Sequence, residues 1–161
     1  MVEAESLAVD DMCSDIYWRL HAVVVACMKV RRAVAIRNDW SVTELTALST
    51  IELAMRDGRP IGATELANRV GFTPANATRL LDRLERRGDI RRARAGADRR
   101  RVTLTVAADT MAKLREDPFS GAGMRSLIER AALVNSADGE VIMRLLDEIM
   151  DGIRLIEGTR T

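Results

Sequence analysis

Between residues 59 and 105 the chain carries twelve arginines, at 59, 69, 79, 83, 86, 87, 91, 92, 94, 99, 100 and 101, against five acids, Glu65, Asp82, Glu85, Asp89 and Asp98. Guanidinium groups at that density suit one chemistry above others: they neutralise phosphate and bind its oxygens in a planar fork. The window is net +7, which leaves −6 for the rest of a chain whose formal charge is only +1. A basic middle between acidic flanks is the footprint of a module that meets nucleic acid. Within the window, Asn76 and Arg79 are of the types that pair bidentately with adenine and guanine. Each such pair is worth roughly 1–3 kcal/mol of discrimination against the wrong base. The hydroxyls of Thr73 and Thr78 suit either a base or a phosphate.

Other chemistries are poorly supplied. One His and two Cys, fourteen positions apart, offer neither a metal-ligand set nor a disulfide framework. There is no Gly-rich phosphate loop, no nucleophile–base constellation and no carboxylate pair apart from helix surfaces, so neither an enzyme nor a cofactor is expected. Five aromatics are too few for the stacking sheets of single-strand binders. The longest uninterrupted apolar run, residues 22–28, is seven residues and cannot cross a membrane. The acidic N-terminus lacks a signal-peptide layout, so a cytoplasmic location is expected. At 161 residues, 47% apolar and 30% charged, the chain is long and apolar enough for a globular core.

The elements that must position the arginines are legible in the spacing. Met12, Ile16, Leu20, Val23, Cys27, Val30 and Val34 recur at intervals of three and four, which predicts one long helix over residues 10–37. Asn38 and Asp39 break it. Ser41 and Glu44 then form a capping box, flanked by Trp40 and Leu45 as a hydrophobic staple, for a helix running to about Arg56. Asp57 and Gly58 end that helix, and residues 59–62 form an extended linker that could add a strand. Residues 63–70 predict a two-turn helix with Leu66, Ala67 and Val70 inward and Gly71 as its stop. Thr73 caps the next helix, with Pro74 in the first position, where a missing N–H is tolerated. Ala77, Leu80, Leu81 and Leu84 face inward and Gly88 ends it. The outward positions are Thr73, Pro74, Ala75, Asn76, Thr78, Arg79, Asp82, Arg83 and Arg86.

Two short helices joined by so tight a turn make a helix-turn-helix. Such a motif places the N-terminal turns of its second helix against base edges in the major groove. Residues 90–94 and the alternating 102–106, separated by a polar Gly-containing tip, predict a β-hairpin. A helix follows from about Asp109, interrupted by Pro118, Gly121 and Gly123. A further segment, residues 124–133, is helical by pattern. Ser136 opens a last helix with Ile142, Leu145, Ile149, Ile153 and Ile156 on one face.

The order of these pieces resembles the MarR family of winged-helix regulators. The match is carried by Glu65, Leu66 and Ala67, by the turn Val70, Gly71, Phe72 and Thr73, by the run from Thr78 through Arg83 and Leu84 to Gly88, and by Asp98, Arg99, Arg100, Arg101 and Val102. The expected fold is therefore mainly α with a small β-hairpin wing. A winged helix-turn-helix domain over residues 41–106 lies between dimerisation helices at 1–40 and 107–161. Two departures stand out. Val106 and Ala107 replace a common Leu-Thr pair, which removes a Thr cap and sets the next helix at Asp109. The break at residues 118–123 splits what is often one long helix.

The resemblance implies a sequence-specific double-stranded DNA-binding regulator, a repressor released by a small-molecule ligand, acting as a homodimer on a pseudo-palindromic operator. Asp98 would hold Arg100 for the minor groove, with Arg99 and Arg101 on phosphates, while Arg83 joins the recognition-helix contacts. The dimer would be built from residues 12–32 and 136–156. An aromatic or anionic effector would sit near Tyr17, Trp18, His21 and Trp40. Alternatives are a redox-responsive regulator acting through Cys13, an architectural DNA binder, or a winged helix used for protein contact.

Overall fold

The computed structural model describes residues 2–94, 102–118, 120, 125, 128, 129 and 136–158. They fall into two compact units, Met1–Gly123 and Met124–Thr161.

The first unit begins with α1, Val2–Arg37, a helix of 36 residues. It starts well before the expected Asp10, because the leading Glu, Ala and Leu residues are good helix formers and nothing interrupts them. Of the predicted stripe, only Cys27 and Val34 are buried, while Met12, Val23 and Val30 are exposed. The C-terminal third of α1 is what packs on the core, through Val34 and Ala35. Asp39 then turns the chain with a positive φ of 55°. Asn38 Nδ2 donates to the Val34 carbonyl at 2.9 Å.

α2, Val42–Arg56, carries the predicted capping box in full: Glu44 N–H donates to Ser41 Oγ at 3.1 Å, and Ser41 N–H donates to Glu44 Oε2 at 2.6 Å. Both staple residues, Trp40 and Leu45, are buried. α3, Ala63–Val70, and α4, Pro74–Arg86, follow with Gly71 between them in the left-handed conformation, φ 69°. Thr73 Oγ1 accepts from Asn76 N–H at 3.3 Å, capping α4 as its spacing from Pro74 requires.

The hairpin pairs β1, Ile90–Arg94, antiparallel with β2, Val102–Val106, from Ile90 opposite Val106 to Arg94 opposite Val102. The linker before α3 adds one rung, with Leu104 N–H donating to the Ile61 carbonyl at 2.9 Å. Its neighbour Gly62 answers a steric demand, since a Cβ there would lie 2.9 Å from the Val102 carbonyl oxygen. The core gathers Val34, Trp40, Leu45, Leu48, Ile51, Ile61, Leu66, Leu81, Leu84, Ile90, Leu104 and Leu114. α2, α3, α4 and both strands therefore bury their apolar faces together, and α4 is a wall of that core.

α5, Ala108–Leu114, starts one residue before the expected Asp109, with Ala107 as a cap that offers no side-chain hydrogen bond. It ends ahead of the proline. Asp117, fully buried, receives Arg31 Nη1 at 2.8 and 3.1 Å and Ser49 Oγ at 2.6 Å, and Ser120 N–H donates to its carbonyl at 3.0 Å. Arg31 Nη2 also donates to Thr46 Oγ1 at 3.0 Å. This polar node ties α1, α2 and the chain after α5 together at the point where the sequence turns.

The second unit contains α6, Ser136–Gly158. Residues 125, 128 and 129 are helical too, within the predicted 124–133 segment. Val141, Met143, Leu146, Met150, Ile153, Leu155 and Ile156 of α6 are all exposed.

Candidate nucleic-acid interface

The front of α4 is presented as its sequence dictates. Ala77, Leu80, Leu81 and Leu84 are buried, so Thr73, Pro74, Ala75, Asn76, Thr78 and Arg79 face outward and are exposed. Thr78 Oγ1 donates to the Pro74 carbonyl at 2.9 Å, leaving its lone pairs outward. Among the described residues, neither the Asn76 amide nor the Arg79 guanidinium is engaged by another side chain. Both border a groove of about 260 Å³ shared with Thr43, Phe72, Leu80 and Arg83. A donor–acceptor amide and a donor fork at nearly one helical turn's spacing, unengaged by other side chains, can bind planar groups such as base edges.

The rear of α4 is tied down. Arg83 Nε donates to Glu44 Oε1 at 2.7 Å, and Arg87 Nη2 lies 3.2 Å from the same oxygen. Arg87 also donates to Asp89 Oδ2 at 2.9 Å and to the Asp39 carbonyl at 3.0 Å. Asp89, itself buried, accepts from Trp40 Nε1 at 3.3 Å and from Thr110 Oγ1 at 3.0 Å. On the wing side, Arg92 of β1 reaches Asp82 at 2.6 Å and Glu85 at 3.3 Å. Burial pushes the Glu44 carboxyl up, but the Ser41 backbone and side-chain hydrogen bonds and the charges of Arg87 and Arg83 outweigh it, holding the group below its ordinary range.

The hairpin leaves at Arg94 and returns at Val102. Asp98, Arg99, Arg100 and Arg101, the wing residues expected to reach DNA, lie outside the described residues.

The expected effector residues are not gathered at one place. Tyr17, Trp18 and His21 form an exposed ring cluster on α1, with centroids 5.3 Å apart for Tyr17–Trp18, 6.0 Å for Tyr17–His21 and 5.9 Å for Trp18–His21. Trp40 is instead buried against Asp89, with Lys113 Nζ 5.8 Å from its ring centroid. Nineteen residues of α1 separate Trp18 from the helix end, about 28 Å along the axis. A cavity of about 420 Å³ does open elsewhere in the first unit, lined by Met28, Arg31, Thr46, Ser49, Thr50 and Leu53. Cys13 is exposed and Cys27 buried, both free. About 21 Å of helix separates them, beyond disulfide reach within one chain. Among the described residues no cluster of His, Cys, Asp and Glu is placed to hold a metal, and no helix is long and apolar enough to cross a membrane.

Two nodes escaped the sequence. Glu44 reads there only as the third residue of a cap, and its long-range partners Arg83 and Arg87 leave no local trace. Asp117 reads as part of a break, yet its partner Arg31 lies 86 positions away.

Residues 40–102 match the model of the MarR family. Comparison with curated proteins gives no match. Among solved structures, a MepR variant from a multidrug-resistant S. aureus clinical isolate superposes with a TM-score of 0.60 at 16% identity, over 85% of this chain and 96% of that one. S. aureus MepR bound to ethidium bromide gives 0.54 at 13%, over 85% and 95%. E. coli MarR in its apo form gives 0.51 at 19%, over 81% and 93%. At such identities the likeness is one of fold: helices around a helix-turn-helix and a two-stranded wing.

Proposed function

We infer that this chain, whose residues 40–102 are a MarR-family winged helix, is a transcriptional regulator that reads double-stranded DNA. The observation that carries this reading is the front of α4, where Asn76 and Arg79 stand exposed and unengaged by other side chains on a helix otherwise fixed to the core. Major-groove entry would bring Asn76 onto an adenine and Arg79 onto a guanine, with Thr73, Pro74, Ala75 and Thr78 lining the approach. Arg100, steadied by Asp98, reads the neighbouring minor groove, and Arg99 and Arg101 neutralise phosphate.

One winged helix covers too little DNA for high specificity, and two copies on a two-fold axis double the footprint. The support for a homodimer is apolar surface left open on both units: Met12, Trp18, Val24 and Met28 on α1, and Met143, Leu146, Met150 and Leu155 on α6. Acting in the cytoplasm, the dimer represses from a pseudo-palindromic operator and lets go when a small ligand binds. The cavity between α1 and α2, apolar at Met28 and Leu53 and edged by hydroxyls, has room for such an effector. It abuts the Arg31–Asp117 node, so a ligand there would act on the joint between α1 and α2. Binding and release of DNA require no catalytic step.

The test is a comparison of wild type with Asn76→Ala and Arg79→Ala on a duplex library varied one base pair at a time. Each variant should lose roughly tenfold or more in preference at one base pair per half-site and keep the others. Equal preferences in all three proteins would remove α4 as the reader.

A further inference from the structure

Base reading requires α4 to present its first two turns at one fixed angle, and that angle is held at the rear of the helix. Glu44 stands at the joint. Its side chain is only 4% exposed, yet it accepts from Ser41 N–H at 2.6 Å and Arg83 Nε at 2.7 Å, with Arg87 Nη2 at 3.2 Å. A capping box needs only the Ser41 contacts, so the two guanidinium contacts serve something else. Arg83 is half-exposed and borders the same groove as Asn76 and Arg79, but its Nε points back to the scaffold. Arg87 extends the tie to Asp89 and the Asp39 carbonyl, and through Asp89 to Trp40 and Thr110.

We propose that Glu44 is a positioning residue for sequence reading, holding α4 through Arg83 and Arg87 so that Asn76 and Arg79 meet the bases in one orientation. Arg83 is then a tether to α2 and not a phosphate contact. This assignment rests on the regulator reading above. One buried carboxylate restrains two cations beside the DNA face. Removing its charge frees Arg83 for phosphate, while Arg87 keeps Asp89 and the Asp39 carbonyl; this raises sequence-independent affinity while it loosens the helix that carries the readers.

The experiment uses the full chain and two fluorescent duplexes of equal length, one enriched by the wild type from random sequence and one scrambled, each titrated over a salt series. Arg83→Gln leaves Glu44 with Ser41 and Arg87. It should lower the ratio of specific to scrambled affinity at least tenfold and leave the salt slope unchanged. Glu44→Gln should lower the ratio at least as far, with tighter and more salt-dependent binding to the scrambled duplex. The double variant should lose no more than Glu44→Gln alone, as members of one unit do. Partial unfolding would weaken both duplexes equally and leave the ratio intact, so the ratio reports orientation and not fold.

If Glu44→Gln does not fold by circular dichroism, Arg83→Gln decides by itself. A salt slope shallower by about one per protomer with the ratio preserved would make Arg83 a phosphate contact and Glu44 only a cap, overturning the assignment. Ratios unchanged in both variants would overturn it as well. A wild type that prefers no duplex overturns the regulator reading itself, and this assignment falls with it.

Discussion

Glu44 ionises in a site that favours its charged form, and that has a pH consequence of definite sign. Its folded pKa lies below the ordinary value of 4.5. The stabilisation it supplies is therefore fully present above the unfolded value and is lost as pH falls through the folded one. The groups facing it are Ser41, which caps its own helix, Arg83 from α4 and Arg87 at the end of α4. Denaturant midpoints taken from pH 6 down to pH 3 should fall more steeply for wild type than for Glu44→Gln. Parallel curves would show that the carboxylate is not coupled to folding. Asp117 makes a starker case, because its removal takes the carboxylate of a buried ion pair away from Arg31. Asp117→Ala should cost about 3–5 kcal/mol in urea unfolding, the usual penalty for breaking a buried ion pair from one side. A loss below about 1 kcal/mol would mean that Arg31 finds another partner or reaches water.

Elements whose chemistry is local are legible in the sequence. The Ser41–Glu44 box, Thr73 before Pro74 and the left-handed Gly71 each depend on residues within one turn, and each formed where expected. The two strands of the hairpin were legible for the same reason, but their alternation holds only in part: Leu104 and Val106 are buried, while Val102 is exposed and Thr103 buried. The polar nodes were not legible. Which arginine of a dozen meets which acid depends on how helices cross, and no spacing in the chain encodes that. The α1 stripe is a different case, since Val34 meets this chain's core while Met12, Val23 and Val30 are exposed, on the stretch the sequence assigns to a dimer. Gly62 is a further case that only the packing explains. Because the Cβ is fixed by the chain and the atom it meets is a backbone carbonyl oxygen, Gly62→Ala should force α3 and β2 apart at a cost of about 1–3 kcal/mol, read as a drop in melting temperature. A melting temperature unchanged within a degree would show that the linker can give way without cost.

For the molecule as a whole, the near-neutral charge of +1 is an average over parts that face different partners. The arginine-rich segment meets phosphate in this account, and the flanking helices, net acidic and apolar along their open faces, meet a second copy. Two consequences are separable by experiment. Sedimentation at micromolar concentration should give a dimer, and a monomer there would count decisively against the pairing of residues 12–32 and 136–156. The central claim, sequence-specific reading of duplex DNA by paired α4 helices and wings, is tested most directly by selecting bound sequences from random duplex DNA. The account predicts one enriched pseudo-palindrome of roughly 16–20 base pairs, with half-site centres about one helical turn apart. Recovery of unenriched sequence, bound with the same affinity as any other duplex, would contradict it.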